Sequence, residues 1–204
     1  MFGIRAGQRG QNSLLLLATL ATVATLLAGC AQSESTAAPL LLGGPNTNIT
    51  VEIPPGWHQV IDSSNTQIPE MVAPVTCMGS HEVDCALGLA RVATMLSTSE
   101  RDAQNTVEQA VLTAPGVTPG ASISAGPTKV GPRTGYTHRF NFANASGSLT
   151  CEIAAVASGP STADAQGNHE YSVILVWISS KPQAPSLDVI DRIVESADVV
   201  GGDT

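Results

Sequence analysis

Alternation of apolar and polar residues recurs through much of the chain after residue 48. In "NITVEI", Ile49, Val51 and Ile53 alternate with polar residues, which predicts a strand, and Pro54-Pro55-Gly56 predicts the turn that ends it. Further strands are predicted in "WHQVI", "MVAPVTC", "CALGLARVATML", "TGYTHRFNFA" and "SLTCEIAAVAS". "HEYSVILVWISS" becomes apolar on both faces after Ser172, which is typical of a central strand covered on both sides.

Two segments carry apolar residues at helical spacing instead. "STSERDAQNTVEQAVLTAPG" predicts a helix in which Ser99 and Asp102 resemble a capping arrangement. Its predicted buried stripe is Ala103, Val107, Ala110, Val111 and Ala114. "SLDVIDRIVESADVV" predicts a second helix with Ser186 as its N-cap. Its predicted stripe is Leu187, Ile190, Val194 and Ala197. Between the helices, "VTPGASISAGPTKVGPRTG" is turn-rich and predicts at most a short strand around residues 121–124.

The order of these elements predicts the fold class. Consecutive strands joined by short links favour an antiparallel sheet, and two amphipathic helices must bury their stripes against it. We therefore expect an α+β domain with an antiparallel sheet of about six strands flanked by two helices.

The first 30 residues have the pattern of an export signal. Arg5 and Arg9 precede an uncharged run of 16 residues, Leu14 to Gly29, which is shorter than the roughly 20 residues of a membrane-spanning helix. Leu27-Ala28-Gly29-Cys30 resembles a bacterial lipobox, and this implies a lipid-modified Cys30 after cleavage before it. The alternative is an ordinary signal peptide with an incidental cysteine. We expect a signal peptide over 1–29, the lipidated Cys30 and a flexible tether over 30–46, and a single domain over 47–204.

The charge of the chain restricts its partners. Without Arg5 and Arg9, seven basic residues face 17 acidic ones, a net charge near −10. Such a surface repels nucleic acid and anionic lipid headgroups, so no nucleic-acid partner is expected and the acyl anchor must hold the membrane without a basic patch.

Three further cysteines, Cys77, Cys85 and Cys151, follow the lipobox. Cys77 and Cys85 flank the loop of "CMGSHEVDC", and an exported protein favours a disulfide between them, worth about 2.5 kcal/mol. Zinc binding by these two residues with His81 is an alternative, and pairing of one of them with Cys151 is another. Cys151 shares a strand face with apolar residues, which predicts a buried, inert thiol rather than a nucleophile.

No pattern typical of an active site is found. The serines lack a Gly-x-Ser-x-Gly elbow, and no histidine has a recognisable local signature. His138 alternates with aromatic residues and is interpreted as half-buried. We expect no catalytic residues, no metal and no cofactor. Four aromatic residues are candidates for lining a ligand groove between helix and sheet: Trp57, Tyr136, Phe140 and Trp177.

Several features together resemble the LpqN/LpqT family of actinobacterial lipoproteins, with its PsbP-like α/β/α sandwich. These are the lipobox, the polar tether, the "PPGW" turn, a mid-chain helix ending in "APGV", three long strands and the closing "IDRIVESADVV" helix. The resemblance covers about residues 49–200, and it implies a surface-anchored binding module without catalytic residues.

We therefore expect a non-enzymatic, lipid-anchored protein at the outer face of the cell membrane that binds a protein or an envelope component. One alternative is a carrier or sensor of a small apolar envelope molecule held between sheet and helix. A hydrolase or thiol enzyme is a third. It requires Cys151 or a serine within hydrogen-bond distance of a histidine in an open cleft.

Overall fold

Antiparallel pairing organises the described part of the chain. The computed structural model describes residues 40–44, 47–60, 70–72, 86–159 and 162–199. The elements in chain order are β1 (Leu40–Gly44), β2 (Ile49–Ile53), β3 (His58–Val60), β4 (Glu70–Val72), β5 (Gly88–Ser97), α1 (Glu100–Leu112), β6 (Thr118–Val130), β7 (Arg133–Asn144), β8 (Gly147–Ala157), β9 (His169–Ser179), α2 (Asp188–Glu195) and β10 (Asp198–Val199). All of them belong to one compact unit, Pro39–Thr204.

The strands form a larger and a smaller sheet. The larger sheet has the order β3-β4-β5-β9-β8-β7-β6, and the smaller sheet has the order β1-β2-β10. Every strand pair is antiparallel. The prediction of a central strand in "HEYSVILVWISS" is confirmed, because β9 lies between β5 and β8 and Val173 and Ile174 are buried on its opposite faces.

The larger sheet is covered on both faces. Residues of α2 and the smaller sheet pack with Ala90, Val92, Ile174 and Val176 in one core cluster. Ala103 of α1 packs in a second cluster with residues of β7, β8 and β9. We call these the α2 face and the α1 face. The prediction of an α+β fold with a helix-flanked antiparallel sheet is therefore confirmed; the smaller sheet was not predicted.

Helix α1 forms as its sequence predicts. The Ser99 hydroxyl accepts a hydrogen bond from the Asp102 backbone N–H at 3.1 Å, which satisfies one of the donors left free at a helix N-terminus. Of the predicted stripe, Ala103 is fully buried, Val107 and Val111 are half-buried, and Ala110 and Ala114 are exposed. The helix therefore contacts the sheet along a narrower stripe than predicted.

Helix α2 begins later than predicted. Its N-cap position is Leu187, not Ser186, and Leu187 is 46% exposed rather than part of the buried stripe. The Ser186 hydroxyl instead bonds the Asp188 side chain. Ile190 and Val194 are buried as predicted. The helix ends at Glu195, earlier than predicted, so Ala197 is buried beyond it and Asp198–Val199 pairs with β2 as β10 instead of continuing the helix.

The largest error concerns β6. Thr118–Val130 is a strand of 13 residues where turns and at most a short strand were predicted. Its side chains are almost all exposed, so hydrophobic alternation could not reveal it. It is an edge strand, where Pro119 and Pro127 are tolerated because one side of the strand needs no backbone donors.

The predicted tether also contains structure. Residues 40–44 form β1, which pairs with β2 so that Leu42 lies opposite Val51. Leu42 is 1% exposed, and its burial explains why this part of the segment is a strand.

Candidate functional site

A groove lies between α1 and the α1 face of the larger sheet. It has a volume of about 370 Å³ and is lined by residues of β5, β9 and α1. Its apolar lining consists of Ala93, Met95, Val107, Ala110, Val111, Val173 and Leu175. Protein sites for small molecules are usually concave and mostly apolar, with volumes of about 300–1,000 Å³, so the groove has suitable size and chemistry.

Small side chains keep the groove open. Ala93 of β5 lies opposite Val173 of β9 in the sheet. Ala110 of α1 lines the same groove from the helix. An alanine side chain ends at Cβ, so neither residue reaches across the gap between the helix and the edge of β5. Helix and sheet close fully only where Ala103 packs at 0% exposure.

Two polar groups border the apolar lining. They are the guanidinium of Arg91 on β5 and the hydroxyl of Thr106 on α1. A guanidinium has five N–H donors, so it can bind a carboxylate while it keeps a protein partner. The Thr106 hydroxyl already donates to the Asp102 carbonyl oxygen at 2.8 Å. The groove therefore combines a surface for an apolar chain with the guanidinium donors of Arg91 for an anionic group.

On the other side of α1, His138 joins the helix to the edge of the sheet. His138 Nδ1 lies 2.6 Å from Glu108 Oε2, and His138 Nε2 lies 2.8 Å from Ser122 Oγ. The Gln104 side-chain amide donates to the same Glu108 oxygen at 2.7 Å. His138 and Glu108 are largely buried, with side chains 16% and 13% exposed, while Ser122 is exposed.

The register of the sheet relates the position of the groove to that of the His138 cluster. His138, Ile153, Leu175 and Arg91 form one row across β7, β8, β9 and β5 on the α1 face. Neighbouring strands are about 4.8 Å apart, so His138 and Arg91 stand roughly 14 Å apart at the ends of this row. Helix α1 lies over the middle of the row and separates the groove from the His138 cluster.

A second cavity lies at the end of β6, β7 and β8. It also has a volume of about 370 Å³, and its lining includes Thr118, Pro119, Asn141 and Thr150. The Thr150 hydroxyl donates to the Asn141 side-chain oxygen at 2.9 Å. Its lining contains no ionisable side chain, and it carries no obvious chemistry.

The four aromatic residues predicted as candidates for ligand lining contact neither cavity. Trp57 is buried in the cluster of the α2 face, and Phe140 is buried in the cluster of the α1 face. Tyr136 packs under Arg101, whose guanidinium carbon lies 5.8 Å from the ring centroid. Trp177 is half-buried beside Leu89.

The cysteines divide into one described residue and three others. Cys151 is 0% exposed, and burial raises the pKa of its thiol far above the ordinary value. The prediction that Cys151 is buried is therefore confirmed. A buried thiol with a raised pKa is a poor nucleophile, which argues against the thiol version of the enzyme hypothesis. Cys30, Cys77 and Cys85 lie outside the described residues, so the lipid modification and the disulfide remain predictions.

Neither a metal-binding cluster nor a membrane-spanning helix is found among the described residues. In the ranges given above, no cluster of three or more His, Cys, Asp or Glu side chains is arranged to bind a metal ion. Within the same ranges, neither helix has the length and apolar character needed to cross a bilayer.

Sequence reasoning missed Ser122 and Glu108. The spacing of Gln104 and Glu108, one helical turn apart, could have indicated a pair on one side of α1. No local signal marks Ser122, because its position beside His138 depends on the irregular pairing of β6 with β7.

Comparison with known proteins finds similarity of fold only. No protein-family model matches the chain, and no curated protein matches it either. A crystal structure from Bacteroides thetaiotaomicron is similar at 10% identity and TM-score 0.49, over 81% of this chain and 50% of that one, so this chain spans half the length of that protein.

Two other solved structures are similar to most of the chain. LpqN, involved in cell envelope biogenesis of Mycobacterium tuberculosis, is similar at 12% identity and TM-score 0.48, over 80% of this chain and 90% of LpqN. Cyanobacterial PsbP from Synechocystis is similar at 11% identity and TM-score 0.45, over 81% of this chain and 95% of that one. Likeness of fold at such identities does not extend to activity or partner.

Proposed function

We propose that this protein is a lipid-anchored module of the cell envelope, of the LpqN/LpqT type, and that the groove beside α1 binds a small amphipathic molecule. The proposed ligand has an apolar chain and an anionic head. The observation that carries this proposal is the groove itself, with seven apolar side chains and the guanidinium of Arg91.

The anchor is supported by the sequence. A basic start, an apolar run and Leu27-Ala28-Gly29-Cys30 together match a lipoprotein signal. One acyl chain binds a membrane only marginally, whereas two or more hold it firmly. Mass spectrometry of the mature protein tests this directly, since a diacylglycerol mass on Cys30 is expected and an unmodified N-terminus would exclude the anchor.

The apolar lining favours a hydrocarbon chain. Burial of a methylene group contributes about 0.8 kcal/mol, so a chain of several methylenes gains most of its affinity from Val107, Val111 and Val173. A hydrogen bond to a charged group contributes about 1.5–3 kcal/mol. A carboxylate at the Arg91 end is therefore expected to bind roughly 10–150-fold more tightly than the matching alcohol.

The binding test compares dodecanoate with dodecanol by isothermal titration calorimetry. It uses residues 31–204, which contain the whole compact unit. Ala110→Phe fills the groove from an exposed helix position and is expected to abolish binding of both ligands. Gln109→Phe is the matched control, because Gln109 is exposed on the same helix and does not line the groove.

Arg91→Met tests the head group. It should weaken dodecanoate binding by about 10-fold or more and leave dodecanol binding unchanged. Equal binding by the Ala110→Phe and Gln109→Phe variants would show that the groove is not the site. If neither ligand binds the unsubstituted protein, the carrier hypothesis fails, and a scaffold for a protein or polymer partner becomes the better interpretation.

A further inference from the structure

We propose that Ser122, His138 and Glu108 form a nucleophile, a general base and a positioning carboxylate that cleave short-chain carboxylic esters. This inference does not depend on the groove, which lies on the opposite side of α1. It meets one part of the condition given above for a hydrolase, a serine within hydrogen-bond distance of a histidine; the other part, an open cleft, is replaced here by an exposed position on an edge strand.

The contacts have the order that serine hydrolysis needs. A carboxylate only accepts hydrogen bonds, so His138 Nδ1 carries the hydrogen in the 2.6 Å contact with Glu108. In this tautomer of the imidazole, Nε2 has a lone pair that can accept a hydrogen bond from the Ser122 hydroxyl, 2.8 Å away. Glu108 thereby selects the tautomer in which His138 can accept the proton from Ser122.

The supporting groups sit on regular elements. Gln104 is 1% exposed and donates to Glu108 from one turn earlier on α1, which restrains the carboxylate. The His138 ring packs against Phe140 with centroids 5.2 Å apart. A base held by packing and by hydrogen bonds keeps its orientation at little entropic cost during reaction.

Ser122 lies in an irregular part of β6. The pairing of β6 with β7 shifts register between Pro119 and Ser122 and again between Ser122 and Ser124. The register therefore passes over Gly120 and Ala121 before Ser122, and over Ile123 after it. Bulges re-aim side chains and free backbone groups next to active sites. In this irregular segment the Ser122 hydroxyl lies beside the His138 ring, 2.8 Å from Nε2.

The exposure of Ser122 indicates the class of substrate. Ser122 lines neither of the two cavities described above, so an acyl group on it has no deep apolar pocket to fill. Acetyl and similarly short esters fit such a site better than long-chain esters.

The reaction balances with water as co-reactant. Ser122 Oγ bonds to the ester carbonyl carbon while its proton passes to His138 Nε2. The carbon–oxygen bond to the alcohol then breaks, and Nε2 returns the proton to the leaving oxygen. Water next attacks the acyl carbon and gives one proton to Nε2. The carboxylic acid leaves, and Ser122 Oγ recovers its proton.

The same contacts would also serve as a mechanical link between α1 and β6, and the two roles predict different results. A link alone predicts that Ser122→Ala changes stability slightly and changes no reaction. The test therefore uses a fluorophosphonate, which reacts when Oγ bonds to phosphorus, fluoride leaves and the proton passes to His138. Intact mass and peptide mapping locate the adduct on residues 31–204.

We expect the adduct on Ser122 and hydrolysis of p-nitrophenyl acetate that falls about 100-fold or more in kcat/KM for Ser122→Ala and His138→Gln. Ser124→Ala is the matched control, because Ser124 is an exposed serine of the same strand, and it should retain activity within about twofold. Glu108→Gln should lower kcat and leave KM unchanged, as expected for a positioning residue.

Absence of an adduct on Ser122 in the folded, unsubstituted protein would overturn the proposal. Equal hydrolysis by the Ser122→Ala and Ser124→Ala variants would overturn it as well. Faster hydrolysis of p-nitrophenyl octanoate than of the acetate would overturn the assignment of short acyl groups.

Discussion

The buried carboxylate of Glu152 depends on Arg139. Arg139 Nε donates to Glu152 Oε2 at 2.6 Å, and its Nη2 contacts Asp191 of α2 at 2.5 Å. The Glu152 side chain is only 9% exposed. Burial raises the pKa of Glu152 above its ordinary value, while the charge and hydrogen bond of Arg139 oppose this rise.

Arg139→Met removes the counterion and keeps much of the side-chain volume. Without the charge and hydrogen bond of Arg139, burial raises the pKa of Glu152 further. The unfolding free energy that the variant loses at pH 7 has an upper limit, because the Glu152 carboxyl can always take up a proton. From the ordinary pKa of 4.5 to pH 7, that uptake costs about 1.36 kcal/mol per unit, or roughly 3.4 kcal/mol in total. We expect the variant to lose about 2–3 kcal/mol of unfolding free energy.

The sign of the pH dependence follows from the raised pKa. The folded state holds a proton on Glu152 more tightly than the unfolded state does, so the variant is most stable below pH 4.5. Its stability is lost progressively as pH rises from 4.5 toward the pKa of the folded state. At pH 5 the limit on the cost is therefore only about 0.7 kcal/mol.

Urea denaturation at pH 7 and pH 5, followed by tryptophan fluorescence, measures this difference. The double variant Arg139→Met with Glu152→Gln removes both charges and should recover most of the lost stability at pH 7. Asp191→Asn is the control, because that carboxylate is 52% exposed and should change stability by less than about 1 kcal/mol. A cost that is the same at both pH values, or a double variant as unstable as Arg139→Met, would refute the reasoning.

Three further predictions concern the turns, the caps and the core. Gly131 has φ +57°, and an added Cβ would lie 1.8 Å from the Ala197 carbonyl oxygen, so Gly131→Ala should cost about 3 kcal/mol or more in urea unfolding. Gly116→Ala, at φ +79° with nothing within 4 Å, should cost only about 1 kcal/mol, and equal costs would contradict the clash. Ser99→Ala removes the cap of α1 and should cost about 1 kcal/mol in thermal unfolding, whereas Thr113→Ala at the other end of α1 should cost less. In a Cys77→Ser, Cys85→Ser variant of residues 31–204, Cys151 should react with Ellman's reagent only after denaturation, because burial raises the pKa of its thiol; rapid reaction of the native protein would contradict its burial.

Local patterns in the sequence were sufficient for the elements that bury an apolar face. β7 follows the predicted alternation, β9 is apolar on both faces as predicted, and α1 begins at Glu100 after its Ser99 cap. β8 was predicted as an alternating strand, and the structure buries both of its faces. In these elements the apolar side chains occupy the positions that the fold buries. Their spacing along the sequence is therefore enough to identify each element. The antiparallel sheet between two helices followed from their order.

Apolar spacing in the sequence could not identify the elements that are held mainly by backbone pairing. β6 was missed because its hydrogen-bond partners lie on β7 and its own side chains are almost all in solvent. β1 was assigned to the tether because its pairing with β2, and the burial of Leu42 that follows from it, are properties of the assembled sheet.

The sequence by itself thus determined the fold class, the limits of most strands and the burial of Cys151. Only the tertiary structure decided the candidate sites. The groove exists because Ala93 and Ala110, distant in sequence, leave a gap that neither residue fills. Ser122, His138 and Glu108 meet because a bulged edge strand, its neighbour and a helix converge on one face of the sheet. Side-chain contacts of this kind depend on register and helix placement, which no local pattern of residues encodes.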